Sequence, residues 1–261
     1  MIASIEIENY RNLKNLNIDL VGQLNLITGK NNTGKTNFLE SIFFYASQKE
    51  IQSAKQIIVN DQGPDILSDD EILNPQNVKF IRAHSSIQSL LRENSFDCFN
   101  DLITEKAVNF LKKIDDRILE IDFLADNLRN PIATFKNGKT VALLRMGSGV
   151  HRILTILLAL STSQNGIVLI DEIENGFHYH VQEGLWGLIA AIAQDQNIQV
   201  FAATHSIDSI RAFGKTINLE NGLLTPGLLI KLENIDGVIE PLTFDQEELK
   251  VIVENSIEVR K

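Results

Sequence analysis

Residues 29–36 read GKNNTGKT, and the later runs IVLIDE (167–172) and QVFAATHS (199–206) each carry polar groups out of an apolar stretch. The first fits G-x-x-x-x-G-K-[ST]. Gly29 and Gly34 allow backbone angles that turn successive N–H groups toward one phosphate, and the helix that follows adds partial positive charge at its start. Lys35 would neutralise the outer phosphates, and Thr36 would offer a hydroxyl to Mg²⁺. The candidate nucleotide-binding residues are therefore Gly29, Lys30, Asn31, Asn32, Thr33, Gly34, Lys35, Thr36 and Asn37. The plain alternative, a glycine turn before a helix, does not explain the full match in strand–loop–helix context.

In the second run, Asp171 would hold Mg²⁺ and Glu172 would polarise an attacking water, a placement that contributes about 10²–10⁴-fold to rate. A solvated acidic turn is the alternative, and the phosphate loop upstream disfavours it. His205, near the end of the third run, would hydrogen-bond a terminal phosphate or the attacking water; a structural histidine after a strand is the alternative, which the small Ala-Ala-Thr approach and the parallel-sheet context disfavour. The candidate catalytic residues are thus Glu172, His205 and Lys35, with Thr36 and Asp171 as metal ligands. Residues 146–152, MGSGVHR, make another glycine-rich helix start, with Ser148 and Gly149 as candidate anion-binding residues. One triphosphate does not need two such sites in one chain. A dimer that sandwiches each nucleotide between one chain's loop and its partner's second loop would use both.

These groups need strands that end together and helices that begin there. Gln23–Thr28 reads as the strand before the loop, and Thr36–Gln48 has apolar residues at helical spacing. Ile167–Ile170 is the continuous apolar run of a strand buried on both faces. Gln199–Ala203, Val78–Ile81 and Leu228–Leu232 read as further strands, with helices at Gly149–Leu160 and His180–Gln194 and from about Asp245. Ser4–Glu8 and Leu16–Leu20 alternate around a hairpin-like turn. Residues 49–77 are less regular, 84–119 mostly helical, and 118–145 strands with an Asn137-Gly138 turn. An Asp236-Gly237 turn falls near the end. No repeat or linker divides the chain, so one domain over 1–261 is expected, with a helical lobe at about 84–119.

The chain has 261 residues, 44% of them hydrophobic and 22% charged, as in an ordinary globular protein. Cys98 is the single cysteine, so no internal disulfide forms, which fits a reducing cytoplasm. The N-terminus lacks a signal-peptide pattern, and the longest apolar run, Ile153–Leu160, is too short to span a bilayer. A net charge of −10 does not indicate a large nucleic-acid footprint, though it leaves room for a local basic patch.

Together the four motifs, in this order, resemble ABC-type ATPases, most closely the RecF/SMC-like branch and within it the OLD-like or AAA15/AAA21-type prokaryotic ATPases. Walker A is Gly29–Thr36, the signature Met146–Arg152, Walker B Ile167–Glu172, the D-loop Glu174–His178 and the switch histidine His205. The opening IEIENYRNLKNLNIDL and closing VENSIEVRK also look like this family. The resemblance implies an α/β P-loop NTPase with a mainly parallel central sheet, an N-terminal antiparallel β subdomain and a helical subdomain. It also implies ATP and Mg²⁺ as ligands and an ATP-dependent head-to-head homodimer in which Ser148 and Gly149 act on the partner's nucleotide. A separate effector protein would read the state, in DNA maintenance or in defence against phage; a nucleotide-gated scaffold with little turnover is the alternative.

The family's Q-loop glutamine has no clear place, with Gln62 and Gln76 as candidates. No coiled-coil arm or TOPRIM segment is expected, and Asp69-Asp70-Glu71 and Asp115-Asp116 read as solvated faces. His178 and His180 are two apart, poor spacing for a helical metal pair. Trp186 reads as packing, and Arg11 either reaches the nucleotide or covers the sheet. A small-molecule kinase has no use for the second glycine loop, and the guanine motif [NT]-K-x-D is absent.

Overall fold

A strand buried at every position needs cover on both faces, and four of the central strands are of that kind. The computed structural model describes residues 1–48, 56–59, 77–91, 96–123, 131–218, 226–255 and 257–259. Its central sheet has the order β12-β11-β3-β10-β9-β5. The strands are β3 (Leu24–Gly29), β5 (Val78–Ile81), β9 (Ile167–Ile170), β10 (Gln199–Ala203), β11 (Gly227–Ile235) and β12 (Val238–Phe244). All neighbours run parallel except β11 and β12, which form an antiparallel edge.

The period-2 alternation of a strand divides its side chains between two cores. Leu24, Leu26, Val168, Ile170, Val200, Ala202 and Leu229 point to one, shared with helices α3 (Asp101–Ile114), α4 (Ser148–Ser161), α5 (Tyr179–Asp195), α6 (Ile207–Ile217) and α7 (Gln246–Glu254). Ile27, Ile167, Leu169, Phe201, Ala203, Ile230 and Leu232 point to the other, covered by α1 (Lys35–Gln48) and a smaller sheet. Asn25 is fully buried inside β3. Its amide donates to the Gly22 and Val200 carbonyls at 2.8 and 3.2 Å and accepts from Gly22 N–H at 2.8 Å, so its burial leaves no polar group unpaired.

The smaller sheet has the order β2-β1-β4, from β1 (Ser4–Ile7), β2 (Leu16–Ile18) and β4 (Gln56–Val59). β1 and β2 pair antiparallel, as expected. β4 falls in the stretch that reads as irregular, and it joins β1 in parallel after the α1 crossover. The N-terminal sheet is therefore mixed rather than purely antiparallel. A third, antiparallel sheet, β6 (Ile118–Asp122), β7 (Ile132–Phe135) and β8 (Thr140–Ala142), follows α2 (Ile87–Leu91) and α3. Its second turn is at Asn137-Gly138, where Gly138 N–H donates to Phe135 O at 2.8 Å. Helix α6 and strand β12 were not anticipated from the sequence. Asp69-Asp70-Glu71, Gln62 and Gln76 lie outside the described residues. Among the described residues, no helix is long and apolar enough to cross a membrane.

Candidate nucleotide-binding site

At the carboxyl ends of β3, β10 and β9 the sheet presents its polar groups. β3 runs into the loop at Gly29 (φ 145°), and the chain turns through Asn32 (φ 65°) and Gly34 (φ 86°) before α1 begins at Lys35. Those angles explain the glycines: a Cβ on Gly34 would stand 2.8 Å from the Asn12 side chain. Thr33 is buried, and its hydroxyl donates to Lys30 O at 2.9 Å, closing the loop on itself. Lys35 Nζ donates to Gly29 O and Lys30 O at 2.9 and 2.8 Å. Burial lowers the Lys35 pKa, and the negative charges of Asp171, Glu174 and Glu172 oppose that shift.

Thr36 Oγ1 donates to Asp171 Oδ2 at 2.9 Å. Burial raises the Asp171 pKa, the Thr36 hydrogen bond lowers it, and Glu172 raises it further. A hydroxyl and a carboxylate converging on one point are hard oxygen donors of the kind Mg²⁺ takes alongside substrate phosphates. Such a site needs no cluster of three or more acidic or histidine ligands, and none occurs among the described residues.

Glu172 sits in the left-handed region (φ 47°), which turns it out of the strand line. Asn175 Nδ2 donates to Glu172 Oε2 at 2.6 Å and to Ala83 O at 3.3 Å, so Glu172 is held from its own loop. Arg152, the last signature residue, is buried beneath both carboxylates. Its guanidinium donates to the backbone carbonyls of Asp171 (2.5 Å), Arg82 (2.8 Å) and Glu172 (3.4 Å). Burial pulls its pKa down to about 10, against the pull of the nearby carboxylates.

An open cavity of about 680 Å³ is lined by Asn12, Asn31, Asn32, Gly34, Lys35, Thr36, Asn37, Glu172 and His205. The first-loop residues, Glu172 and His205 thus meet, with Asp171 attached through Thr36. Gly29 and Thr33 shape the loop without lining this cavity. Lys30 instead borders a smaller cavity of about 330 Å³ beside Lys231. Ser148 and Gly149 do not line the larger cavity either. They begin α4, where Gly147 supplies no side-chain cap, and Ser148 is exposed.

Arg11 does not line the cavity. It forms an ion pair with Glu40 and donates to Asn37 Oδ1 at 3.0 Å, while Asn37 donates to Asn12 at 2.7 Å. It therefore braces the first turns of α1. His178 and His180 are exposed and stack on each other, with ring centroids 5.0 Å apart, outside the cavity lining. Trp186 packs on Phe213 at 4.8 Å, as a core residue does. The segment after β5, next to the end of β9, reads Arg82-Ala83-His84-Ser85-Ser86 and holds no glutamine. Sequence reasoning also passed over Asn12 and the roles of Arg152, Glu174 and Asn175 in the loops. For Arg152 a signal existed, an arginine one helical turn inside the second glycine loop.

This fold is that of an ABC-type ATPase head. Residues 65–211, more than half of the chain, match the family described as "AAA domain, putative AbiEii toxin, Type IV TA system", and the chain belongs to that family. Residues 1–81 match "AAA ATPase domain". The chain is similar to an ATP/GTP phosphatase of Helicobacter pylori, 23% identical over 98% of both chains. It is 30% identical to the DNA replication and repair protein RecF of Francisella tularensis subsp. novicida over 78 residues, spanning 30% of this chain and only 22% of that protein. A solved SMC head bound to the C-terminal winged-helix domain of ScpA aligns with a TM-score of 0.58 at 12% identity, covering 92% of this chain and 95% of that one, a likeness of fold.

Proposed function

We propose that this ATPase binds Mg²⁺-ATP in the cavity behind Gly29–Thr36 and closes as a head-to-head homodimer whose signature loops complete the two sites. The observation that carries this reading is the placement of two anion-binding helix starts. One, at Lys35, opens on the cavity; the other, at Ser148, is exposed, has no side-chain cap and lies outside that cavity's lining. A second copy brings its Ser148 and Gly149 to this chain's terminal phosphate, and their helix start adds positive potential there.

In that reading Lys35 leaves the Gly29 and Lys30 carbonyls for the outer phosphates. Thr36 and Asp171 hold the Mg²⁺, which supplies charge neutralisation to the phosphates when bound. Glu172, oriented by Asn175, accepts a proton from the attacking water and sharpens its nucleophilicity. His205 donates to the terminal phosphate. Asn31, Asn32 and Asn37 contribute amides to the phosphates and ribose.

All 261 residues act as one domain in the cytoplasm, and a separate effector reads the open and closed states. The short likeness to RecF supports DNA maintenance as one setting for that effector; defence against phage is the other setting proposed. A second reading, a nucleotide-gated scaffold with little turnover, is favoured by the Arg82-Ala83-His84 segment, which lacks the glutamine expected beside the metal.

Single-turnover hydrolysis decides between the two. The motor reading expects the native chain to consume bound ATP at least about 100-fold faster than Glu172→Gln. Equal background rates in both chains, with ATP still bound, would leave only the scaffold.

A further inference from the structure

Glu174 lines neither of the two cavities described above, yet its carboxylate fixes the loop that carries His205. Oε1 accepts from His205 N–H at 2.7 Å, and Oε2 accepts from Thr204 Oγ–H at 2.7 Å. Thr204 is fully buried, and its hydroxyl accepts from Ser206 N–H at 2.9 Å. One residue earlier, Ile173 N–H donates to Ala203 O at 3.0 Å. The segment after β9 is thus joined to the end of β10 and the two residues beyond it at three consecutive positions, Ala203, Thr204 and His205. Hydrogen bonds to an ionised acceptor are shorter and about twice as strong as neutral ones. Only a carboxylate receives both donors: a glutamine has one acceptor oxygen and would turn an NH₂ toward the other donor.

We propose that Glu174 is the positioning residue of His205, holding the backbone from which the imidazole reaches the terminal phosphate. The proposal rests on the reading that His205 acts there. Glu174 is also one of three carboxylates whose charge bears on Lys35, so its loss does not weaken the attraction for a triphosphate. This separates positioning from general damage. A disrupted site loses ATP affinity together with rate, whereas a misplaced His205 loses rate alone.

The test is steady-state ATP hydrolysis by the full chain and by Glu174→Gln, Glu174→Ala, His205→Ala and the double variant Glu174→Ala/His205→Ala, with thermal melts as a check on folding. A displacement on the order of 1 Å at a reacting group costs about 100-fold. Glu174→Ala should therefore lose about 100-fold in kcat with KM for ATP unchanged or lower, and Glu174→Gln should fall between it and the native chain. The double variant should be no slower than His205→Ala, because Glu174 acts through His205.

A double variant slowed by the product of the two single losses overturns the proposal. So does a native kcat in Glu174→Ala beside a slow His205→Ala, which leaves the role of His205 standing. A native kcat in His205→Ala overturns that role and this proposal together. Should Glu174→Ala not fold, Thr204→Val removes one of the two donors. It should lower kcat about 10-fold at constant KM, and a native kcat there counts against the proposal.

Discussion

Thr36 Oγ1 and Asp171 Oδ2 lie 2.9 Å apart, joining the first turn of α1 to the end of β9 across 135 residues of sequence. In the proposed reading this contact brings together the two groups that would hold Mg²⁺. Thr36→Val removes one oxygen ligand while keeping the branched shape. It should raise the Mg²⁺ concentration for half-maximal hydrolysis about 10-fold or more. ATP binding in EDTA should be unchanged. A Mg²⁺ titration of the rate beside calorimetry without metal reads both.

Asp171 should trade stability for activity. Burial raises its folded pKa above the ordinary 3.8, so the folded chain carries a disfavoured charge at neutral pH. That cost is present above the folded pKa. It fades as pH falls through the folded value, and is absent below the unfolded value, where the carboxyl is protonated in both states. Asp171→Asn should therefore melt at a higher temperature than the native chain at pH 7, and the gap should narrow on acidification. Its hydrolysis should fall at least about 100-fold. Nucleotide-free thermal melts across the acid range check the sign.

Arg152 binds three backbone carbonyls through a planar fork, which a lysine does not reproduce. Arg152→Lys keeps the charge and loses the geometry. We expect a loss of about 2 kcal/mol or more in stability, the cost of one to two charge-assisted hydrogen bonds. We also expect a lower kcat with ATP affinity nearly retained, since neither Asp171 nor Glu172 is then fixed from below. Denaturant unfolding and kinetics on the same preparation separate the two effects.

Much of this was legible in the sequence, for physical reasons. The apolar runs of β9 and β10 had to be doubly covered strands, and their polar ends had to meet the loop after β3. Other elements hid themselves. β4 is a four-residue strand whose partner, β1, is held by non-local pairing. β12 contains Pro241, which argues against a strand until the strand proves to be an edge. In α6, Gly214 interrupts an apolar pattern that Ile210, Phe213 and Ile217 nonetheless bury. The carbonyls that Arg152 binds and the donors that Glu174 receives depend on which loops the fold brings together; spacing shows only that an arginine follows the second glycine loop by one helical turn.

Gly149 couples the second glycine loop to the segment after β9. A Cβ there would stand 2.7 Å from the Gly176 carbonyl oxygen, at a backbone position with nowhere to shift cheaply. Gly149→Ala should push α4 off that segment. Its hydrolysis should drop by about 10-fold or more, as expected for a site displaced by part of an ångström. Nucleotide affinity of the single chain should stay close to native. Fluorescent-nucleotide titration and turnover on one preparation would show the split, and a parallel loss of both would contradict it.

The central claim is that a second copy of the chain completes the site. Sedimentation of Glu172→Gln with and without ATP and Mg²⁺ tests it most directly. The account predicts a monomer without nucleotide and a dimer with it, and a return to monomer when Ser148→Arg is added to the same chain while ATP remains bound. An unchanged mass in the Glu172→Gln chain with ATP bound would contradict it.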